Sequence, residues 1–287
     1  MSAKTWFITG TSRGFGREWA LAALERGDSV VATARDASSL DTLVAAHGDA
    51  VLPISLDVTD RGAVFAAVAR AHGHFGRLDV VVNNAGYGQF GMVEELSEAE
   101  SREQIETNLF GALWVTQAAL PFLRAQGSGH LLQVSSIGGI SAFPTVGIYH
   151  ASKWALEGLS QALAQEVAGF GIKVTLIEPG GYSTDWGGSS AKHATALPAY
   201  DKVREQAVNR PSRRGTPGDP VATRDAVLTL VDSDNPPLRV FFGEAPLAIA
   251  TADYESRLAT WNQWQPLSVA AHGGHGAALP ASATPTT

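Results

Sequence analysis

The chain has 287 residues, enough for one large α/β domain. Apolar residues make up 45% and charged ones 17%, so a substantial core can be buried, and the −7 net charge (21 Lys and Arg against 28 Asp and Glu) argues against non-specific nucleic-acid binding and anionic membrane attachment. The absence of cysteine excludes disulfides, thiolate catalysis and cysteine-ligated metal.

In chain order, strand-like runs fall at 6–9, 29–33, 51–56, 78–82, 130–134, 173–177 and 239–242. Most are bare Val/Ile/Leu stretches, the pattern of strands buried on both faces of a parallel sheet. Helix-period segments lie between them at 15–26, 39–47, 62–72, around 99–125, 147–168 and 219–231. Asp60 and Ser97 stand at expected N-caps, and Gly27 and Gly48 at expected helix ends. Repeated β-α-β units predict a Rossmann-like, doubly wound, mainly parallel seven-stranded sheet with helices on both faces. We expect one domain over 1–265. Segment 180–220 is too long for an ordinary connection and reads as a substrate-binding insert or lid. After Arg257 no charge appears, and 266–287 reads as a weakly structured Pro/Ala/Gly-rich tail. No secretory leader pattern is visible at the first residues, and no run reaches the roughly 18 apolar residues of a membrane span. A cytoplasmic protein is expected.

The first strand runs into Thr9-Gly10-Thr11-Ser12-Arg13-Gly14-Phe15-Gly16, and a helix follows. Glycines there let the backbone approach a pyrophosphate, and the helix N-terminus offers unpaired N–H groups. An NAD site usually has Asp or Glu near the end of the second strand. Arg35 stands there instead, and with Arg13 it can grip a 2′-phosphate. NADP(H) is therefore expected over NAD(H). Asp36 is one register on, where alternation turns it away.

Tyr149 and Lys153 lie four apart, on one face of a helix. An ammonium beside a phenol favours the phenolate and lowers its pKa, which would make Tyr149 an acid–base group. Ser136 follows the run at 130–134, at the carboxyl edge where a parallel sheet meets its ligand. Alternation turns only one of Ser135 and Ser136 inward. His150 lies about 100° round the helix from Tyr149 and should face elsewhere. His72, His74, His272 and His275 lack nearby acidic partners and read as exposed residues rather than metal ligands.

Taken together, these motifs resemble the short-chain dehydrogenase/reductase family in its single-domain branch, over about 4–243. The resemblance rests on the glycine turn at Thr9 to Gly16, Asp57-Val58, Asn83-Asn84-Ala85-Gly86, Asn108, Ser136, Tyr149 with Lys153, and Pro179-Gly180. It implies hydride transfer between NADP(H) and a ketone, aldehyde or alcohol, with no metal required. Tyr149 would be the acid in reduction and the base in oxidation. Lys153 would hold the nicotinamide ribose, Ser136 would polarise the carbonyl, and Asn108 would kink its helix and anchor a proton-relaying water. Gly10, Ser12, Arg13, Gly14, Phe15 and Gly16 would cradle the phosphates. Asp57 and Val58 would contact adenine, and Asn84, Ala85 and Gly86 the adenosine side. Pro179, Gly180, Tyr182 and Thr184 would lie at the nicotinamide.

Each residue also has a plainer reading. Asp57 serves equally as a helix cap, Asn83 to Gly86 as a strand-ending turn, and Asn108 as a tie to a neighbouring turn. Specificity is expected from 138–147 and 182–214, where Gly138, Phe143, Val146, Tyr182, Trp186 and Leu197 can line an apolar pocket beside Ser136 and Tyr149. That pocket suits a lipid, steroid or aromatic substrate. Trp261 and Trp264 either cover the site or meet a partner subunit. The helices near 99–125 and 147–168 are apolar beyond one face (Leu113, Trp114, Phe122; Trp154, Leu156, Leu159), so a homodimer or homotetramer is expected. Two rival readings stand beside the reductase: a non-catalytic NADP(H)-binding regulator of the same fold, and an isomerase or dehydratase that recycles its own hydride.

Overall fold

Consecutive strand residues enter opposite cores, which explains the unalternating hydropathy. In β1 (Thr5–Ile8), Trp6 and Ile8 join one apolar cluster and Phe7 the other. In β2 (Ser29–Ala34), Val30 and Ala32 likewise face away from Val31. The sheet continues with β3 (Val51–Ser55) and β4 (Val80–Asn83). The two-residue β5 (Gln89–Phe90) stands apart, and β6 (Gly129–Val134) and β7 (Ile172–Pro179) return to the sheet. The computed structural model describes residues 3–208 and 216–273.

The first core is covered by α1 (Gly14–Glu25) through Trp19, Ala20, Ala23 and Leu24, by Leu43 of α2 (Asp41–His47), and, late in the chain, by α8 (Thr223–Asp232). The second is covered by α3 (Arg61–Phe75) and, further on, by α5 (Gly111–Gln126) and α6 (Gly147–Val167). Asp60 caps α3, its side chain accepting from Ala63 N at 2.9 Å. Ser97 caps α4 (Glu98–Ile105) in a reciprocal box with Glu100. With the last strand, β9 (Arg239–Phe242), the seven strands run β3-β2-β1-β4-β6-β7-β9, and every pairing is parallel. The order reverses between β1 and β4, so ligand space opens beyond their carboxyl ends.

Three expectations differ. The single helix around 99–125 is two, α4 and α5, joined by a π-turn at Glu106–Phe110. Such turns arise where tertiary bonds pull backbone out of the regular ladder. Within the insert, β8 (Lys192–His193) pairs with β5, and α7 (Asp201–Val208) follows; its remainder at 209–215, including Arg214, lies outside the described residues. Finally, the chain divides into two compact units, Met1–Pro246 and Leu247–Thr287. Helix α9 (Pro246–Ala271) passes through Pro266, so the tail read as weakly structured from 266 is helical to Ala271. A proline removes one helix hydrogen bond and costs about 3 kcal/mol, yet the helix continues through it. On α9, Trp261 and Trp264 are exposed. His272 follows the helix, whereas His275 and the rest of the tail lie outside the described residues. Among those described, no helix is long and apolar enough to cross a membrane.

Candidate active site

The glycine turn is bolted to the end of β4. Thr9 Oγ1 accepts from Asn84 N and Ala85 N, both at 2.9 Å. Asn84 Nδ2 donates back to Thr9 O at 2.8 Å and Gly10 O at 3.0 Å. Gly10 and Gly14 adopt φ of +71° and +59°, which side chains resist. A Cβ on Gly16 would lie 2.4 Å from Gly10 O, so only glycine lets α1 start this close to the turn. Arg13 is the N-cap of α1 and provides no side-chain cap, which leaves the first-turn N–H groups to a ligand. Ser12 is exposed. Such a cradle, at the strand-order reversal, fits a dinucleotide pyrophosphate.

The remaining residues expected around the coenzyme separate by environment. Arg35 is exposed after β2, and its guanidinium has no partner among the described residues. Asp36 is occupied locally: its carboxylate accepts from Ser38 N and Oγ, and the Oγ bond foremost lowers its pKa. Arg13 is not poised with Arg35, because it pairs with Asp185 at 2.5 Å and Ser189 at 3.0 Å in the insert. Asp57 closes a turn by accepting from Thr59 N at 2.9 Å, and the helix cap is Asp60 instead. The Val58 side chain is buried against Gly111. Phe15 stacks on Trp19 and meets the edge of Tyr182 at 4.9 Å. A Cβ on Gly14 would meet Thr184 at 3.9 Å, Pro179 is buried, and Gly180 N donates to Phe242 O at 2.9 Å.

Tyr149 and Lys153 are both buried, at 6% exposure, one turn apart on α6. Lys153 Nζ lies 5.8 Å from the phenol ring centre and donates to Val134 O at 2.8 Å. Burial pulls Lys153 down to about 8. Burial likewise pushes Tyr149 up to about 12, only partly offset by its hydrogen bond with Ser136. This reverses the lowered phenol pKa expected from an adjacent ammonium, because desolvation of the anion outweighs a cation that is itself held off at Val134 O. Ser136 caps the short turn Ile137–Gly139, accepting from Gly138 N at 2.9 Å, while Ser135 is buried on the other side of the strand end. Asn108, in the π-turn, is 2% exposed. It clamps the Tyr87 backbone, accepting from N at 3.1 Å and donating to O at 3.0 Å, and also reaches Ser152 Oγ at 3.2 Å. A Cβ on Gly86 would lie 3.0 Å from Asn108 Oδ1 and 3.8 Å from Lys153 Nζ. Asn108, Gly86 and Lys153 thus converge.

Aromatic rings wall the space around the phenol. Trp186 of the insert lies 4.9 Å from the Tyr149 ring and 5.3 Å from Phe90. Leu197 instead sits on the exposed part of the insert, its N bonded to Glu95. His150 departs most from expectation. It is buried 5.9 Å from the Tyr149 ring, with Nδ1 2.8 Å from Gly138 O and Nε2 accepting from Phe143 N at 2.9 Å. As a neutral imidazole, its pKa lowered chiefly by burial, it staples the segment carrying Gly138 and Phe143. Both partners are backbone groups, so no spacing in the sequence signals this.

A doubly wound α/β fold with a glycine-lined crevice, a buried phenol and an ammonium defines the class of nucleotide-dependent oxidoreductases. The model of the short chain dehydrogenase family matches residues 4–195, and the chain belongs to that family. It is 44% identical over 270 residues to Oxidoreductase BOA17 of Botryotinia fuckeliana, covering 93% of this chain and 98% of that one. A short-chain dehydrogenase structure from Streptomyces avermitilis matches with a TM-score of 0.86 at 41% identity, over 93% of this chain and 98% of the other. A short-chain dehydrogenase/reductase from Burkholderia phymatum, solved in complex with NAD, matches at 25% identity and a TM-score of 0.77, over 90% and 95% of the two chains. Another solved relative carries NADP.

Proposed function

We propose that this oxidoreductase interconverts a ketone or aldehyde and its alcohol, with NADP(H) as the preferred coenzyme. The observation that carries the reading is the buried Tyr149 and Lys153 pair, with half-buried Ser136 bonded to the phenol, beside the glycine-lined crevice. The coenzyme supplies the hydride in reduction and accepts it in oxidation. Ser136 orients the carbonyl oxygen toward the phenol, and Tyr149 delivers the proton to it. A phenol whose pKa is raised to about 12 keeps its proton at neutral pH, the form that can donate in reduction. Lys153 and Asn108 fix the floor against which the nicotinamide ribose would rest. Trp186, Phe143 and Gly138 bound the substrate, and the rings at Trp186 and Phe90 favour apolar aromatic, steroid or lipid carbonyls. The described part of the insert that carries Trp186 is the lid of this pocket. Exposed Trp154 on α6 supports a homodimer or homotetramer built on α5 and α6.

The NADP(H) preference rests on Arg35, whose guanidinium has no competing partner among the described residues, and on Asp36 being engaged by Ser38. Arg13 reaches a 2′-phosphate only by leaving Asp185. We expect a higher kcat/KM with NADPH than with NADH, and expect Arg35→Ala to lower the NADPH value by about 10- to 100-fold through loss of a charge-assisted pair. Equal efficiency with both coenzymes in the wild type would overturn the preference.

A further inference from the structure

Beneath the turn that begins at Ser136 lie two carboxyl groups with no part in the steps above. Glu157 follows Lys153 by one turn of α6 and is 6% exposed; Glu178 stands near the end of β7 and is 1% exposed. Arg239 from β9 faces both, and Lys153 precedes Glu157 by one turn of α6. Arg239 Nε lies 2.9 Å from Glu157 Oε2 and 3.5 Å from Glu178 Oε1, and its Nη2 is held by Gln161 at 2.9 Å. Ser135 comes from the end of β6: a Cβ on Gly139 would fall 2.7 Å from its Oγ and 3.2 Å from Glu157 Oε1. The Oε1 oxygens of both glutamates have no hydrogen-bond donor among the described residues. Both buried carboxyl groups thus crowd a single guanidinium. Two carboxylates beside one cation would leave a buried negative charge uncompensated, which favours a proton on one of them.

We propose that Glu157 and Glu178 share one proton and act as a positioning pair that keeps Lys153 charged in alkaline solution. This rests on the reading of Lys153 and Tyr149 given above. With the proton in place the pair carries one negative charge, balanced by Arg239. When it leaves, the pair carries two negative charges, with Glu157 one helical turn from Lys153. Burial first, then Glu157, pushes Glu178 up to about 8, the same region to which burial pulls Lys153 down. As pH rises through that region the carboxyl pair gives up its proton, and the added charge holds the ammonium on Lys153. The phenolate of Tyr149, needed for alcohol oxidation, keeps its cation.

The test combines a measurement without substrate and one with it. In infrared pH-difference spectra the wild type should show a protonated-carboxyl C=O band lost near pH 8. Glu178→Gln should abolish that step, and Glu157→Gln should move it to lower pH, since Glu178 stays buried but loses its negative neighbour. In the pH profile of kcat for alcohol oxidation, the alkaline limb should move to lower pH by about one unit in both variants. Glu157→Asp should restore it. A role in packing alone would lower stability or kcat without moving the limb. Absence of the band in the wild type, or an unmoved limb in both variants, overturns the pair. Failure of the wild type to turn over any alcohol or ketone overturns the proposed function instead, while the band still decides whether the proton is shared.

Discussion

His150 shows how a single side chain sets the shape of the pocket without touching the chemistry. Its ring bridges Gly138 O and Phe143 N, so the segment after Ser136 is held at two points. In His150→Ala both backbone groups lose their buried partner, at a cost of about 2 kcal/mol. Thermal melting should record that loss, and KM for the carbonyl should rise several-fold as Gly138 and Phe143 drift. An unchanged KM would mean the staple does not shape the site. The residues legible in the sequence were those whose relation is local: Tyr149 and Lys153 share a helix face by spacing alone, and Gly10, Gly14 and Gly16 announce a turn. His150, Glu157 and Glu178 were not legible, because their partners come from distant backbone or from other strands. Arg13 was legible as a basic residue in the turn, but its pairing with Asp185 crosses 172 positions of sequence.

At the scale of elements, the insert is the decisive piece. It is fastened by the β5–β8 pairing, by Arg13 with Asp185, and by Arg204 with Glu95, whose carboxyl is held near 2, first by the Leu197 backbone bond. These fastenings bring Trp186 against Tyr149 and Phe90. Trp186→Ala removes one wall of the pocket, and loss of a half-buried indole should raise KM for bulky aromatic ketones by about 10-fold while changing small aliphatic ones less. Kinetics unchanged across both kinds of substrate would separate Trp186 from the site. Length alone marked this segment as unusual, yet strands of two residues carry no periodicity to read. The π-turn was hidden for a related reason: its irregularity is enforced by the bonds of Asn108 to Tyr87, not by local propensity.

For the whole molecule, the parallel sheet was legible because strands buried on both faces must be continuously apolar. The helical character of α9 beyond Arg257 was not, since an uncharged stretch with a proline reads as a tail. Within the sheet, His130 of β6 is buried against Thr175 of β7 at 2.9 Å, and burial, with Lys173 adding less, lowers its pKa from 6.5 to about 4. The unfolded chain therefore takes up this proton first, so stability falls as pH drops from about 6.5 to about 4. His130→Gln should flatten the decline in Tm across that window, and an identical slope would contradict the assignment. The claim on which the account stands is that Tyr149 moves the proton that accompanies hydride transfer. It is tested most directly by following reduced-nicotinamide absorbance with NADPH and a panel of aromatic, aliphatic and steroid ketones, for the wild type and Tyr149→Phe, with coenzyme affinity measured in parallel. Turnover by the wild type is expected, with a loss of at least about 100-fold in kcat in the variant and unaltered NADPH binding. Comparable turnover by both proteins, or tight NADPH binding with no ketone reduced by either, would contradict it.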